Sequence, residues 1–290
     1  MTVVASLRAA TKRYKGVTAL AAVSIAVRQG EAVALLGPNG AGKTTALSLL
    51  LGLRRPDSGE ALLFGRDPRD RAARLALGVT PQASSFPPTL RVDEVVRLVA
   101  THFRDPLPAD ELLERFGLLH LRRRQAGGLS AGESRRLAVA LAFVGRPRAV
   151  VLDEPTGSLD VAARRQVWSE IRAYLAAGGT VLLTSHHLEE VEALAGRVVV
   201  LAAGQIIAEG TVAAIRELAG LTRIRLDCLP EQIPPGVARI AEDGSGAILF
   251  AAEPDQVMQC LVRAGASLRG LEVRPASLEE AFLELTGREP

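Results

Sequence analysis

A glycine-rich segment after a short apolar run constrains the fold of this chain more than any other feature. Ala32–Leu36 has the composition of a buried parallel strand, and Thr44–Gly52 has helical character. The sequence between them matches GxxxxGK[ST], the phosphate-binding P-loop, whose backbone N–H groups and lysine contact phosphates. The order strand, loop, helix predicts a nucleotide-binding α/β fold. The matching residues are Gly37, Pro38, Asn39, Gly40, Ala41, Gly42, Lys43 and Thr44, and we include Thr45 among the nucleotide-binding candidates.

Two adjacent carboxylates, Asp153 and Glu154, directly follow a second apolar run at Ala149–Leu152. Ligands bind at the carboxyl ends of strands in open α/β sheets. Asp153 is suited to Mg²⁺, together with the Thr44 hydroxyl, and Glu154 to orienting or deprotonating an attacking water. Paired acids also occur in solvent-facing turns, so this pair by itself leaves both interpretations open.

The remaining motifs resemble those of the ATPase subunits of ATP-binding-cassette (ABC) transporters, over about residues 3–215. The resemblance implies that the substrate is ATP with Mg²⁺ and that Glu154, His186 and Gln82 are catalytic. Tyr14 could still be an ordinary half-buried tyrosine, Gln82 a turn residue and His186 a histidine at a strand end. The matched positions are Tyr14 (adenine stacking), Gln82 (Q-loop, Mg²⁺ and the transmembrane partner), Ser130 and Gly132 (signature), Asp160 (D-loop) and His186 (switch histidine).

The signature departs from the family pattern at two positions, because Ala131 replaces a glycine and Glu133 replaces a glutamine. Ser130 and Glu133 also fit S-x-x-E, a capping box that begins a helix whatever its function. A carboxylate near a triphosphate weakens binding unless it folds back to cap the helix. The departure therefore bears on ATP affinity and not on the family.

The predicted architecture is an α/β P-loop NTPase (RecA-like) core with a helical subdomain and a small C-terminal α+β domain. Residues 1–220 form the ATPase domain, with the helical subdomain at about 85–145, and residues 221–290 form an accessory domain. Alternating strands and helices predict a mostly parallel core sheet. Short strands are expected at Val3–Arg8 and Val23–Val27, and helical periodicity runs from Val92 to about Arg124. The tail is expected to contain strands at 223–228, 237–242, 246–251 and 268–274, with helices at 254–264 and 277–286.

Composition narrows the function classes. The net charge of +3 is too small to argue for nucleic acid, and Cys228 and Cys260 follow no metal-ligand spacing. No apolar run reaches the roughly 18 residues that span a bilayer. The first ten residues lack the features of a signal peptide. We expect a cytoplasmic protein, held at the inner face of the membrane through a separate permease.

The tail segment 275–287 is similar to the ending of the drug-exporter type of ABC subgroup, whose permease is a separate chain and which mostly exports drugs, lipids or other compounds. It also fits an amphipathic helix capped by Ser277 and Glu280. The resemblance implies a homodimer, because P-loop and signature lie far apart in one subunit. An import ATPase remains the alternative, and so does a soluble ABC ATPase. A non-hydrolysing regulator is disfavoured by Glu154 and His186, and no guanine-reading element supports a GTPase.

Overall fold

The computed structural model describes residues 2–81, 85–218, 220–230, 232–243 and 246–286. Its chain divides into two compact units, Met1–Glu209 and Gly210–Pro290. The division precedes residue 220 because the helix Val212–Leu218 packs against the last helix, Leu278–Thr286, and so belongs to the second unit.

The first unit alternates strands and helices after an initial pair of strands. Its strands are β1 (Val3–Tyr14), β2 (Val17–Arg28), β3 (Ala32–Leu36), β4 (Ser58–Leu63), β5 (Leu77–Thr80), β6 (Ala149–Asp153), β7 (Thr180–Thr184), β8 (Arg197–Ala202) and β9 (Gln205–Gly210). Its helices are α1 (Lys43–Leu50), α2 (Arg71–Leu75), α3 (Val92–Ala100), α4 (Ala109–Arg115), α5 (Ala131–Leu141), α6 (Val161–Ala176) and α7 (Leu188–Leu194).

A six-stranded sheet with the order β5-β6-β7-β3-β8-β9 forms the centre of this unit. The pairs from β5 to β8 are parallel, which confirms the predicted parallel core. Every residue of β3 and β7 is buried, as expected for strands covered on both faces. The carboxyl ends of β6, β7 and β3 therefore lie side by side.

The first two strands are longer than the sequence predicted. Short strands were expected at Val3–Arg8 and Val23–Val27, but β1 and β2 form an antiparallel hairpin that pairs Tyr14 with Val17. Lys15 (φ 46°) and Gly16 (φ 86°) make its turn, and two positive φ angles match the twist of a hairpin. With β4, this hairpin forms a separate sheet of order β2-β1-β4.

Between β5 and β6 the described chain is helical. It forms α3, α4 and α5, with two short 3₁₀ turns at Leu119–Leu121 and Ala126–Gly128. The helical periodicity predicted from Val92 onward is confirmed, because Val95, Val96 and Leu112 are buried at the spacing of helix faces.

In its described residues, the second unit is an antiparallel sheet of order β11-β12-β10-β13 with three helices. The strand predicted at 268–274 begins only at Glu272, because Gly270 (φ 65°) makes a turn before it. The elements are α8 (Val212–Leu218), β10 (Thr222–Leu226), β11 (Val237–Asp243), β12 (Gly246–Ala251), α9 (Pro254–Arg263), β13 (Glu272–Pro275) and α10 (Leu278–Thr286).

None of the helices in the described parts of the chain is both long enough and apolar enough to cross a bilayer.

Candidate functional site

Strand order brings the predicted site residues of the first unit to one edge of the central sheet. β7 lies between β3 and β6, and Thr184 of β7 pairs with both Leu35 and Asp153. The glycine-rich loop follows β3, Asp153 ends β6 and Glu154 comes next, and His186 follows β7. Three segments distant in sequence therefore meet where parallel sheets bind ligands.

The glycine-rich loop is held against neighbouring backbone, which explains two of its glycines. A Cβ at Gly37 would lie 2.4 Å from the Leu201 carbonyl oxygen, and one at Gly42 would lie 2.6 Å from the Ala19 carbonyl oxygen. Gly42 also has φ 106° as the N-cap of α1. Only glycine fits both positions, so the loop can bring its N–H groups close to a ligand.

The lysine of this loop lies across the loop itself. Lys43 Nζ donates to the carbonyl oxygens of Gly37 at 2.6 Å and Pro38 at 3.0 Å. Lys43, Thr44 and Thr45 form the first turn of α1, whose N–H groups have no partner within the helix and favour an anion. The Thr44 side chain is exposed at this end of the helix.

Asp153 is partly buried at the end of β6, where its carboxylate accepts a hydrogen bond from the Thr184 hydroxyl. This contact fixes the carboxylate at the sheet edge and leaves its other oxygen for a ligand. Among the described residues no group of three or more His, Cys, Asp or Glu could hold a metal ion. One carboxylate and one hydroxyl nevertheless suit Mg²⁺, which completes its shell with phosphate oxygens and water.

Glu154 has a left-handed backbone, with φ 51°. This conformation costs a non-glycine residue roughly 1–2 kcal/mol, so neighbouring groups must hold it. The Glu154 N–H donates to the Thr184 carbonyl at 3.0 Å, and the Gly157 N–H donates to the Glu154 carbonyl at 3.2 Å. These two hydrogen bonds hold the Glu154 backbone in this conformation at the end of β6.

The side chains of Glu154 and His186 meet, with 3.4 Å between Glu154 Oε1 and His186 Nδ1. The glutamate side chain is 27% exposed and that of the histidine 58%. Both can therefore reach a ligand at the sheet edge while contacting each other. His187 lies beside His186, with 4.0 Å between ring centroids, and its pKa is lowered mainly by burial.

The segment predicted as the signature begins α5 through the capping box that the sequence indicated. Ser130 N donates to Glu133 Oε2 at 2.7 Å, and Glu133 N donates to Ser130 Oγ at 3.2 Å. The hydrogen bond from the Ser130 N–H is the main cause of a lowered pKa for Glu133. A Cβ at Gly132 would lie 3.3 Å from the Ser158 carbonyl oxygen, so this segment contacts the D-loop of its own chain.

The remaining predicted residues lie at less central places. Asp160 is the N-cap of α6, and its Oδ1 accepts from the Ala163 N–H at 2.8 Å. Tyr14 is 39% exposed on β1, with Lys12 Nζ 5.6 Å from its ring centroid. Gln82 lies outside the described residues.

Sequence reasoning missed three residues beside this site. Thr184 orients Asp153, and Arg135 of α5 donates to main-chain carbonyls at the ends of β5 and β6. Glu190 of α7 is fully buried, and its Oε1 accepts from Trp168 Nε1 at 3.1 Å. A charged residue in a short amphipathic helix gave no local signal of burial.

Comparison with known proteins identifies the family. The model of the family described as "ABC transporter" matches residues 20–157. A Nod factor export ATP-binding protein I of Burkholderia thailandensis is 40% identical, over 96% of this chain and 95% of its own length. The chain belongs to the ABC transporter family. It is an ATP-hydrolysing subunit of that family, as the motifs predicted.

Further relatives agree with this assignment. A Nod factor export ATP-binding protein I of a Rhizobium species is 39% identical, over 92% of this chain and 91% of its own length. The ATP-binding subunit of an ABC transporter superposes with a TM-score of 0.69 at 27% identity, covering 75% of this chain and 93% of the other. A dimeric ATP-binding cassette in a post-hydrolysis state, bound to ADP and Pi, has the same fold, with a TM-score of 0.66 at 24% identity over 71% of this chain and 98% of the other.

Proposed function

We propose that this ABC ATPase drives export through a separate transmembrane permease, with Glu154 as the general base of ATP hydrolysis. The contact between Glu154 and His186, at the sheet edge that also carries the P-loop, is the observation that carries the proposal. Glu154 is suited to accept the proton of the attacking water. His186 is suited to hold that carboxylate and to contact the γ-phosphate.

The other candidate residues each contact a different part of the nucleotide. The N–H groups of the loop and of the first turn of α1 bind phosphate oxygens, and Lys43 can exchange its two carbonyl partners for the β- and γ-phosphates. Thr44 and Asp153 are the described residues that would hold Mg²⁺, with Gln82 as a third candidate outside them. When bound, Mg²⁺ neutralises developing charge on the phosphates. Tyr14 is exposed enough to stack on adenine.

The test is Glu154→Gln, a nearly isosteric change that removes the base. Turnover should fall at least about a hundredfold, the lower end of the range for loss of a general base, while ATP still binds. His186→Ala should lower turnover as well. Wild-type turnover in Glu154→Gln would refute the role of Glu154.

We further propose that two chains form a homodimer in which Ser130 and Gly132 of one subunit complete the ATP site of the other. Ser130 Oγ accepts the helix cap bond, which leaves its own proton for a phosphate oxygen. Glu154→Gln with saturating ATP should run as a dimer in light scattering, and a second change, Ser130→Arg, should abolish it. A monomer in the first case would contradict the proposal.

The ATP-site residues would be the same in an exporter and in an importer, so they do not distinguish the two. The relatives favour export, because they are named as export ATP-binding proteins.

A groove of about 500 Å³ lies beside the end of β5 and is lined by residues such as Pro81, Phe86, Val99 and Phe103. We propose that the permease docks here and holds the subunit at the inner face of the membrane. Phe103→Glu should weaken permease binding in a pull-down while basal ATP hydrolysis is kept.

A further inference from the structure

Arg135 joins three segments of the first unit that sequence motifs treat as separate. It lies in the second turn of α5, five residues after Ser130. Its Nη1 donates to the Pro81 carbonyl at 2.6 Å, in the loop after β5. Its Nη2 donates to the carbonyls of Asp153 and Glu154, the latter at 2.8 Å, after β6.

Burying a guanidinium at this place costs free energy unless its hydrogen bonds compensate for the lost hydration. Burial lowers the pKa of the Arg135 guanidinium, and the charges of Asp153, Glu154 and Glu190 oppose that shift. A guanidinium holds its five donors in a rigid planar fork, so its two Nη groups can bond carbonyls on two separate loops with less loss of side-chain freedom than a lysine ammonium.

Two of the three acceptors, the carbonyls of Asp153 and Glu154, lie at the strained backbone of the proposed general base. Glu154 has φ 51°, and its carbonyl accepts from both Arg135 and the Gly157 N–H. β5 and β6 are parallel neighbours, with Thr80 paired to Leu152, so Pro81 and Asp153 leave adjacent strand ends. The Arg135 side chain therefore fixes the positions, relative to helix α5, at which the chain leaves β5 and β6.

We propose that Arg135 is a positioning residue for ATP hydrolysis, which holds the Glu154 backbone in its left-handed conformation and links its position to that of helix α5. The inference rests on the proposed role of Glu154. Because α5 begins with Ser130 and Gly132, displacement of this helix is transmitted through the guanidinium to the acidic pair. The carboxylate of Glu154 stays aimed beside His186 only while this link is intact.

The test compares Arg135→Gln and Arg135→Lys with wild type and with Arg74→Gln, in the full-length protein. Arg74 is a matched control, because it also donates to two main-chain carbonyls, those of Pro68 and Gly52, away from this sheet edge. Steady-state hydrolysis gives kcat and KM for ATP, a fluorescent ATP analogue gives binding, and urea unfolding gives stability.

Arg135→Gln should lower kcat about 10- to 100-fold, the cost of misplacing a catalytic group by about 1 Å, with KM and nucleotide binding within about twofold of wild type. Arg135→Lys should recover only part of this loss, and Arg74→Gln should keep wild-type kcat. In the Glu154→Gln background, Arg135→Gln should slow hydrolysis by less than about threefold more, because residues acting as one unit are not additive.

Three outcomes would overturn the inference. The first is wild-type kcat in Arg135→Gln while Glu154→Gln is inactive, which leaves the proposed function intact. The second is that both Arg135 variants lose kcat and nucleotide binding together and unfold at a lower urea concentration. This result would mean that Arg135 only stabilises the fold. The third is a full additive loss in the double variant. Wild-type turnover in Glu154→Gln would instead refute the proposed function itself.

Discussion

Glu133 replaces a glutamine of the family signature, and its removal is a direct test of where its carboxylate points. The structure places Oε2 on the Ser130 N–H at 2.7 Å and Oε1 3.5 Å from Arg124 Nη1, so the charge is folded back onto the helix start. We therefore expect substitutions of Glu133 to change stability more than ATP affinity.

The expected loss of unfolding free energy in each Glu133 variant follows from these contacts. Glu133→Ala loses one half of the capping box and a carboxylate at a helix N-terminus, together about 1 kcal/mol of unfolding free energy. Glu133→Gln keeps an acceptor for the Ser130 N–H and loses only the charge, about 0.5 kcal/mol. The ion pair with Arg124, whose side chain is 50% exposed, adds little.

The assay is urea unfolding followed by fluorescence of Trp168, the single tryptophan, which lies in α6 of the first unit. The folded pKa of Glu133 is lowered, so its stabilisation is present above its ordinary value of 4.5 and is lost as pH falls through the folded value. The difference between wild type and Glu133→Gln should therefore shrink as pH falls below 4.5. ATP binding should change by less than about threefold, since about 0.5 kcal/mol is the scale of the charge effect.

The control is Glu280→Ala, which removes an equivalent capping box in the second unit. There the Ser277 N–H donates to Glu280 Oε2 at 2.6 Å. It should leave the Trp168 transition and ATP binding unchanged. Glu133 variants with unchanged stability and ATP binding more than about tenfold tighter would refute the reasoning, because the carboxylate would then face the triphosphate, at about 1.4 kcal/mol.

Other predictions concern burial, close approach and the division into units. Burial raises the pKa of Glu190, so the stability that goes with its protonated carboxyl is greatest below the ordinary value of 4.5 and is lost as pH rises through the folded value. The unfolding free energy of Glu190→Gln should therefore depend less on pH than that of wild type in urea titrations above pH 4.5. Gly37→Ala should weaken ATP binding more than about tenfold, because its Cβ would meet the Leu201 carbonyl and displace the loop. Gly178→Ala, at a turn with open space around it, should leave ATP binding unchanged. Equal ATP affinities of the two variants would contradict this. Truncation after Glu209 should keep the Trp168 unfolding transition and ATP binding, because the described residues proposed to bind the nucleotide all lie in the first unit. A truncated protein that folds without binding ATP would place the second unit in the nucleotide site.

The sequence by itself determined what depends on residues close together in the chain. The P-loop, its flanking strand and helix, and the capping box of Ser130 and Glu133 each follow from local spacing and backbone preference. Buried strands such as Ala149–Asp153 and Thr180–Thr184 were predictable because apolar runs of this length fit a sheet covered on both faces. The roles given to Ser130 and Gly132 across a dimer stay predictions.

Only the tertiary structure decided which distant segments meet. The order β6-β7-β3 brings His186 to 3.4 Å from Glu154, and no periodicity encodes strand order. The same is true of Arg135, whose partners Pro81 and Glu154 lie on separate loops, and of α8, which joins the second unit by packing on α10. Local patterns set the conformation of each element, but contacts between elements depend on how all of them bury their apolar faces together.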